Sequence, residues 1–595
     1  MSTIQMTLPR LLSRSLGTGI VLATLPAAAL AQAIQYNADP LASNPALGDL
    51  VRGPEALARL GDRLTEHAQR SQLSDAEFEQ QVLLDENLWV DVDGDVVFVE
   101  SLFGDVDAPQ RADDLPSFKN GPTIPTSDAF LLHSRPGSNF TIYLDFDGHH
   151  SVNNAWGHDI TFPAYNTEGG TGSFSQNELR QIIDHWIEVA EDYSTFDVDV
   201  TTEEPPVDRL RKSGGGDTQW GVRDVHTQAT AGFGNGIGGV AQLGSFTWST
   251  DTPVFSFNKG SGAGGMTGSH ETGHAFGLVH DGLNGSAYHQ GVALGSWSWG
   301  PIMGAPFGAD MVQWSNGDYS GSTSTQNDTN VISSPSNGTL TLGDDHGDTI
   351  ATATQIPADC PNPNQVEICG LIEHRSDVDT FQFMSVGGQI SFVASPTTLG
   401  NVDCFIEIYD PNGVRLVGAN QTRTATATII RNIGPGVHTL LIDGGDQPNL
   451  YSDFGSRGHY VLDLTLPGAP SHFSDLGNAL AGTNGLPVLT GSGFTCEGTS
   501  VAVSLSNASA NSLAFLTYGV NRADAPLFGG VLVPDTGAGG GALSTTTSGV
   551  GEASMGGLWP AGTMSGATMY FQYWIKDPNA PQGWAASNAV VITQP

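Results

Sequence analysis

The chain has 595 residues, 39% hydrophobic and only 14% charged, and its 22 basic against 62 acidic side chains leave a formal net charge of −40. So few bases cannot neutralise a phosphate backbone, which excludes nucleic acid as a partner, while 76 glycines and 33 prolines exclude a helical bundle or coiled coil. At about 150 residues per domain the length predicts three or four domains, each able to bury its own core.

Residues 1–33 carry Arg10 and Arg14, then an apolar stretch from Leu16 to Leu30 and the small-residue steps Ala29-Leu30-Ala31 and Ala31-Gln32-Ala33. This pattern predicts a secretory signal peptide and an exported protein with no membrane span in its mature form. From Ile34 to about Ser127, Ser74-Asp75-Ala76-Glu77 opens a helix as a capping box. A hairpin follows, Leu88-Trp89-Val90 and Val96-Val97-Phe98-Val99 around the turn Asp93-Gly94. The acids Asp91, Asp93 and Asp95 do not make an EF-hand loop, because Val96 stands where its glycine must be. A Pro-rich run from Val106 to Pro125 reads as a linker.

A second unit begins near Asp128. The strand Thr141-Ile142-Tyr143-Leu144 leads to Asp145-Phe146-Asp147-Gly148, and Leu179, Ile182, Ile183, Trp186, Ile187 and Ala190 recur at helical spacing between about Ser175 and Tyr193. Strands interleaved with helices predict an α/β domain over 128–338. Beyond Asn337 short alternating segments predict two β-sandwich modules, 339–467 and 468–595. In the second, the alternation of Tyr570, Phe571, Tyr573 and Trp574, with Trp584, favours sandwich core over a binding face. The short loop between Cys360 and Cys369 makes them a candidate disulfide in an oxidising compartment; a Cys404–Cys496 pairing stays open.

The stretch that carries chemistry is Ser269-His270-Glu271-Thr272-Gly273-His274-Ala275-Phe276-Gly277-Leu278-Val279-His280-Asp281. Histidines four apart on a helix share a face and can hold one metal ion, with Glu271 beside them to reach an attacking water. Gly277 can end the helix at positive φ and swing His280 back as a third nitrogen ligand. Three neutral imidazoles leave the fourth position of a tetrahedral zinc open, as in a catalytic site. In a chain of this composition the full pattern arises by chance about once in twenty thousand sequences.

His-Glu-Thr-Gly-His-Ala-Phe-Gly-Leu-Val-His-Asp resembles the metzincin zinc metallopeptidases, nearest their reprolysin-like and related bacterial branches, over about 128–337. The resemblance implies zinc on His270, His274 and His280, Glu271 as general base, and Met303, in Pro301-Ile302-Met303-Gly304, as a methionine turn flooring the metal. It also implies an edge strand near Gly239 to Gly244 that pairs with an extended substrate, and it leaves Asp281 as a structural carboxylate under the site. Two departures stand out: no tyrosine follows Met303, where Gly304, Ala305, Pro306 and Phe307 occur, and the segment before the domain has no cysteine to act as a latency switch. An acidic side chain or steric blocking would have to take that role. Asp377-Val378-Asp379-Thr380-Phe381 and the Tyr451 to Tyr460 stretch resemble the bacterial pre-peptidase C-terminal domain.

The expected architecture is therefore multidomain: signal peptide 1–33, α+β pro-segment and linker 34–127, α/β metzincin domain 128–338, pre-peptidase-like sandwich 339–467 and a C-terminal β-rich module 468–595. Candidate calcium ligands are Asp145, Asp147, Asp344, Asp345, Asp377 and Asp379, with Asp348 nearby, all hard oxygen donors. The expected function is a secreted zinc endopeptidase acting on extracellular proteins or peptides, with attachment to matrix or cell surface as a candidate role of the C-terminal modules. The competing expectation is a secreted adhesin or matrix-binding protein in which the β modules do the work; the intact Glu271 and three histidines weigh against it.

Overall fold

The computed structural model describes residues 49–102, 124–170, 172–230, 232–356, 366–466, 473–493, 500–560, 563–564 and 566–594. The expected signal peptide, most of the linker, Cys360 and Cys496 lie outside these residues. The N-terminal segment folds as α1 (Pro54–Leu60), α2 (Leu64–Arg70), α3 (Asp75–Leu84) and the hairpin β1 (Leu88–Val90) and β2 (Val96–Ser101). The capping box at α3 is complete, with Ser74 and Glu77 each bonding the other's backbone. In the hairpin turn the Asp91 carboxylate accepts from the backbone N–H groups of Asp93 and Asp95, so it is spent on the turn.

The hairpin does not form a separate sheet. Downstream come β3 (Phe140–Asp145), β4 (His149–Ser151), β5 (Ile160–Phe162), α4 (Gln176–Asp192), β6 (Asp199–Thr201), β7 (Trp220–His226), β8 (Ile237–Gln242), β9 (Val254–Ser256) and α5 (Ala263–Phe276). One seven-stranded sheet runs β1-β2-β8-β9-β7-β3-β6. Within it β3, β6, β7 and β9 are parallel, whereas β8 runs antiparallel to β9 and β2 antiparallel to β8. All six residues of β3 and all seven of β7 are buried, as expected for parallel strands covered on both faces. The core packs Ile142, Leu144, Ile182, Ile183, Val189 and Phe276 between sheet and helices.

Two further apolar clusters join the N-terminal segment to this unit. Leu50, Trp89, Val97 and Val99 pack with Val225, Phe233, Val240 and Phe255, and Leu60, Phe78, Val82 and Phe98 pack with Leu243 and Val279. Polar contacts accompany them. Arg70 donates to the carbonyl of Gly244 (2.6 Å) and to Thr247 Oγ1 (2.9 Å), and Gln326 donates to the carbonyls of Ser71 (2.7 Å) and Gly277 (3.2 Å).

The two C-terminal blocks are β-rich, in keeping with sandwich modules. In the first, the strands 366–372, 458–465, 378–396, 427–444, 404–409 and 415–419 lie in that spatial order. It docks against the end of α4: Asn401 Nδ2 donates to Asp192 Oδ1 (2.7 Å), Gln313 Nε2 to Asn401 O (2.7 Å), and the His459 N–H to Glu191 Oε1 (2.8 Å). The second block encloses Leu489, Leu505, Leu516, Tyr573 and Ile575. Tyr573 and Trp574 are buried, but within a run of four consecutive buried residues rather than in alternation, and Tyr570 and Phe571 are half-buried; Trp584 stacks on Phe528 with its ring only partly covered. Cys404 is buried in the first module. Among the described residues no helix is long and apolar enough to cross a membrane.

Candidate metal centre

Helix α5 is a poor helix by composition, since Gly264, Gly265, Gly268 and Gly273 each cost about 1 kcal/mol relative to alanine in a helix interior. Every residue from Gly264 to Phe276 is buried, so packing rather than propensity holds it. It ends at Gly277, with φ 111°, whose N–H bonds back to the carbonyls of Gly273 and His274. This turn brings His280 beside His270 and His274. The buried Met303 side chain lies beneath, since a Cβ on Gly273 would stand 2.6 Å from its Sδ.

The outward nitrogens of the three imidazoles are each engaged. His270 Nδ1 donates to Ile302 O (2.8 Å), His274 Nδ1 to Leu278 O (2.8 Å), and His280 Nδ1 to Asp85 Oδ2 (2.6 Å). This leaves the Nε2 atoms facing one another, with those of His270 and His274 3.2 Å apart. Into the same space comes Glu100, from the end of β2, with Oε1 2.8, 3.5 and 3.8 Å from Nε2 of His280, His274 and His270. All four donor atoms lie within 4.8 Å of one another, and all four residues are buried. With both Nδ1 atoms donating, neutral rings present two Nε2 lone pairs to one point, as metal ligands do, and without a metal a proton on one of them makes the 3.2 Å contact a hydrogen bond. A tetrahedral zinc with bonds of 2.0–2.3 Å separates its ligand atoms by about 3.3–3.7 Å. The spacings here, 2.8 to 3.8 Å, straddle that range, so the donor set suits a tetrahedral metal once Glu100 and His280 draw apart by about half an ångström.

Charge at the cluster is uneven. Burial opposes protonation of His280, but Asp85 and Glu100 outweigh it and hold its pKa at about 10. His274 is pushed down to about 3 by burial and by the neighbouring histidines, which suits a neutral ligand. Burial alone would raise the Glu100 carboxyl, yet the histidines keep it well below the usual carboxylate range. Glu271 is the opposite case: burial, then the negative charges of Glu100 and Asp224, push it well above. Neither of its oxygens has a hydrogen-bond partner. It lies against β8, where a Cβ on Gly239 would stand 1.8 Å from Glu271 Oε1, so any larger residue there would have to push the Glu271 side chain aside.

Several expectations need correction. The strand at Gly239 is not an edge, because β2 already pairs along it, with Glu100 opposite Gly239. The carboxylate that orients His280 is Asp85 of the N-terminal segment; Asp281 is buried under the site, its carboxyl pushed up to about 7 by burial, and it does not bond His280. Asp145 accepts from Arg223 Nη1 at 2.5 Å, so a guanidinium stands where calcium would be needed, and Asp147 is exposed. Asp85 and Glu100 went unnoticed in the sequence. The only local hint is an acid closing the apolar strand Val96–Val99. Tyr288, too, came without a signal, and its ring lies 4.5 Å from that of His280.

The remaining candidate calcium ligands are brought together. Asp344, Asp345 and Asp379 offer oxygens within 4.8 Å of one another. The Glu373 and Asp377 carboxylates belong to the same charge cluster, both are buried, and both Glu373 oxygens lack hydrogen-bond partners. Burial and mutual repulsion push Glu373 up to about 10 and Asp379 to about 9, although Tyr460 donates a 2.6 Å bond to Asp379.

No family model matches the chain, and no curated protein matches it. Among solved structures, the pre-peptidase C-terminal domain of a collagenase from Bacillus anthracis is similar over 19% of this chain and 93% of its own, at 14% identity and a TM-score of 0.14. A β-glucuronidase from Bifidobacterium dentium is similar over 40% of this chain and 49% of its own, at 8% identity and a TM-score of 0.11.

In the metal-free chain the raised pKa of His280 has a definite sign. The stabilisation from Asp85 and Glu100 is fully present below the ordinary histidine value of about 6.5 and is lost as pH rises through about 10. Histidine-selective NMR should show one ring titrating near pH 10 in metal-free protein and no such titration once zinc is added. A His280 ring that titrates near 6.5 without metal contradicts the clasp.

Proposed function

We propose that the chain is a zinc-dependent peptidase of the metzincin kind, held latent by its own N-terminal segment. The observation that carries this reading is the convergence of His270, His274 and His280 on one point with Glu100 across from them and Glu271 alongside. Zinc held by the three histidines supplies a Lewis acid that polarises a scissile carbonyl and lowers the pKa of water. Glu271 accepts the proton of the attacking water and delivers it to the leaving amine. Strand β8, once free of β2, offers its backbone to an extended peptide.

Glu100 blocks each of these roles. Its carboxylate fills the position that a water must take, and its charge adds to burial in pushing the Glu271 carboxyl up. Its strand also occupies the backbone edge that a substrate would use. Latency by an acid from the N-terminal segment replaces the missing cysteine. Export, extracellular protein substrates and surface attachment through the β modules belong to the same proposal, supported by the character of residues 1–33 and the acidic composition. The cluster around Asp344, Asp345, Asp377 and Asp379 is assigned to calcium, because carboxylates gathered this closely need a counter-cation.

Glu271→Ala should keep zinc, measured by elemental analysis, while casein hydrolysis after removal of the N-terminal segment falls by roughly 10³-fold or more. Equal hydrolysis by both proteins overturns the mechanism. Glu100→Gln in the uncut chain should raise hydrolysis several-fold over the uncut wild type. For calcium, chelation with EGTA should lower the melting temperature of the wild type but not that of Asp379→Asn; no EGTA effect on the wild type contradicts the assignment.

A further inference from the structure

Between the α/β unit and the first β module lies a cavity of about 300 Å³, and every residue lining it is polar or charged. Thr329 and Ser333 come from one side, and Arg375, Arg457 and Asp453 from the other. The two arginines differ in their surroundings. Arg375 is neutralised, with Nη2 2.5 Å from Asp453 and 3.7 Å from Asp318. Arg457 donates from Nε to the carbonyl of Phe454 (2.9 Å) and lies over the Phe454 ring at 4.7 Å, but among the described residues no carboxylate comes within ion-pair distance of it.

A half-buried guanidinium whose nearest acid is already paired elsewhere is costly. Burial, reinforced by the positive charge of Arg375, pushes the pKa of Arg457 down to about 10, with Asp453 offsetting only part of this. In a chain with 62 acidic side chains against 22 basic ones, a partner acid was readily available. Asp453 lines the cavity but is held by Arg375, so the Arg457 guanidinium keeps donors free for a ligand from outside.

We propose that this cavity binds a small oxyanion, an inorganic sulfate-like ion or a free carboxylate, on the guanidinium of Arg457. A planar fork of donors suits either geometry. Because the lining comes from both the α/β unit and the β module, the bound anion ties the two together and stabilises the chain as a whole.

The test uses the intact chain with zinc and calcium held constant. Melting temperature is followed against sodium sulfate and, separately, sodium acetate, each balanced with sodium chloride to constant ionic strength. Sulfate stabilises proteins generally by exclusion from their surfaces, an effect that does not saturate at low concentration. Site binding should instead give a saturable rise of roughly 2–4 °C. Arg457→Gln should lose that rise, and without added anion should melt at or above the wild-type temperature, since it no longer buries an unpaired charge. Saturation by acetate at the lower concentration assigns a carboxylate, and by sulfate a tetrahedral oxyanion. Should Arg457→Gln fail to fold, Arg457→Lys, which keeps the charge but not the fork, should shift the saturation midpoint about tenfold higher. A wild-type response that is linear in both salts, or a saturable one that persists unchanged in Arg457→Gln or Arg457→Lys, overturns the proposal.

Discussion

The Glu100 carboxylate can lie among three buried histidines only because an apolar strand carries it there. Val97 to Val99 pair along β8, Val96 to Val99 bury their side chains in two clusters, and the strand then delivers an acid at its end, 2.8 Å from His280. In that dry setting each charge depends on the others. Removing one partner of a buried pair typically costs about 3–5 kcal/mol, because the remaining charge is left uncompensated. Asp85, Glu100 and His280 are such a set, and the N-terminal segment supplies both acids.

The same strand that seals the site also completes the sheet. β8 runs against the direction of its parallel neighbours, and its outer edge is the one that β2 covers. The cover is therefore made of the same hydrogen bonds that an incoming peptide would make. Its strength comes from elsewhere, from Phe78, Val82 and Phe98 against Leu243 and Val279, and from Arg70 and Gln326 reaching the termini of neighbouring elements. Cutting the chain between residues 102 and 124 would not by itself release a segment held in this way; the helices and hairpin would also have to be unpacked or digested.

Much of the centre was legible in the sequence because its residues lie close together. The three histidines, Glu271 and Gly277 fall within eleven positions, and the spacing of a helix and a left-handed turn is enough to converge them. The capping box at Ser74 and the hairpin of β1 and β2 were likewise local, although the hairpin closes over Asp91 to Asp95 rather than over Asp93-Gly94 alone. What escaped was long-range. Glu100 and Asp85 reach His280 across 180 and 195 residues, and no periodicity records such a meeting. Asp145 was misassigned for the same reason, since Arg223, which neutralises it, lies 78 residues away on the adjacent strand.

The β modules bear on the centre indirectly. Gln313, which follows Met303 by a single strand, bonds to Asn401 and Ser456 of the first module, and α4 meets that module through Glu191 and Asp192. The floor of the site and the helix behind it are thus braced from the same side, while the N-terminal segment covers the other. The most direct measurement is zinc-dependent hydrolysis of casein by one preparation before and after limited proteolysis that removes the residues up to 102. Hydrolysis that is negligible in the intact chain and appears as the segment is lost, with zinc retained throughout, is the expected result; an intact chain that hydrolyses casein as fast as the truncated one would contradict latency through Glu100.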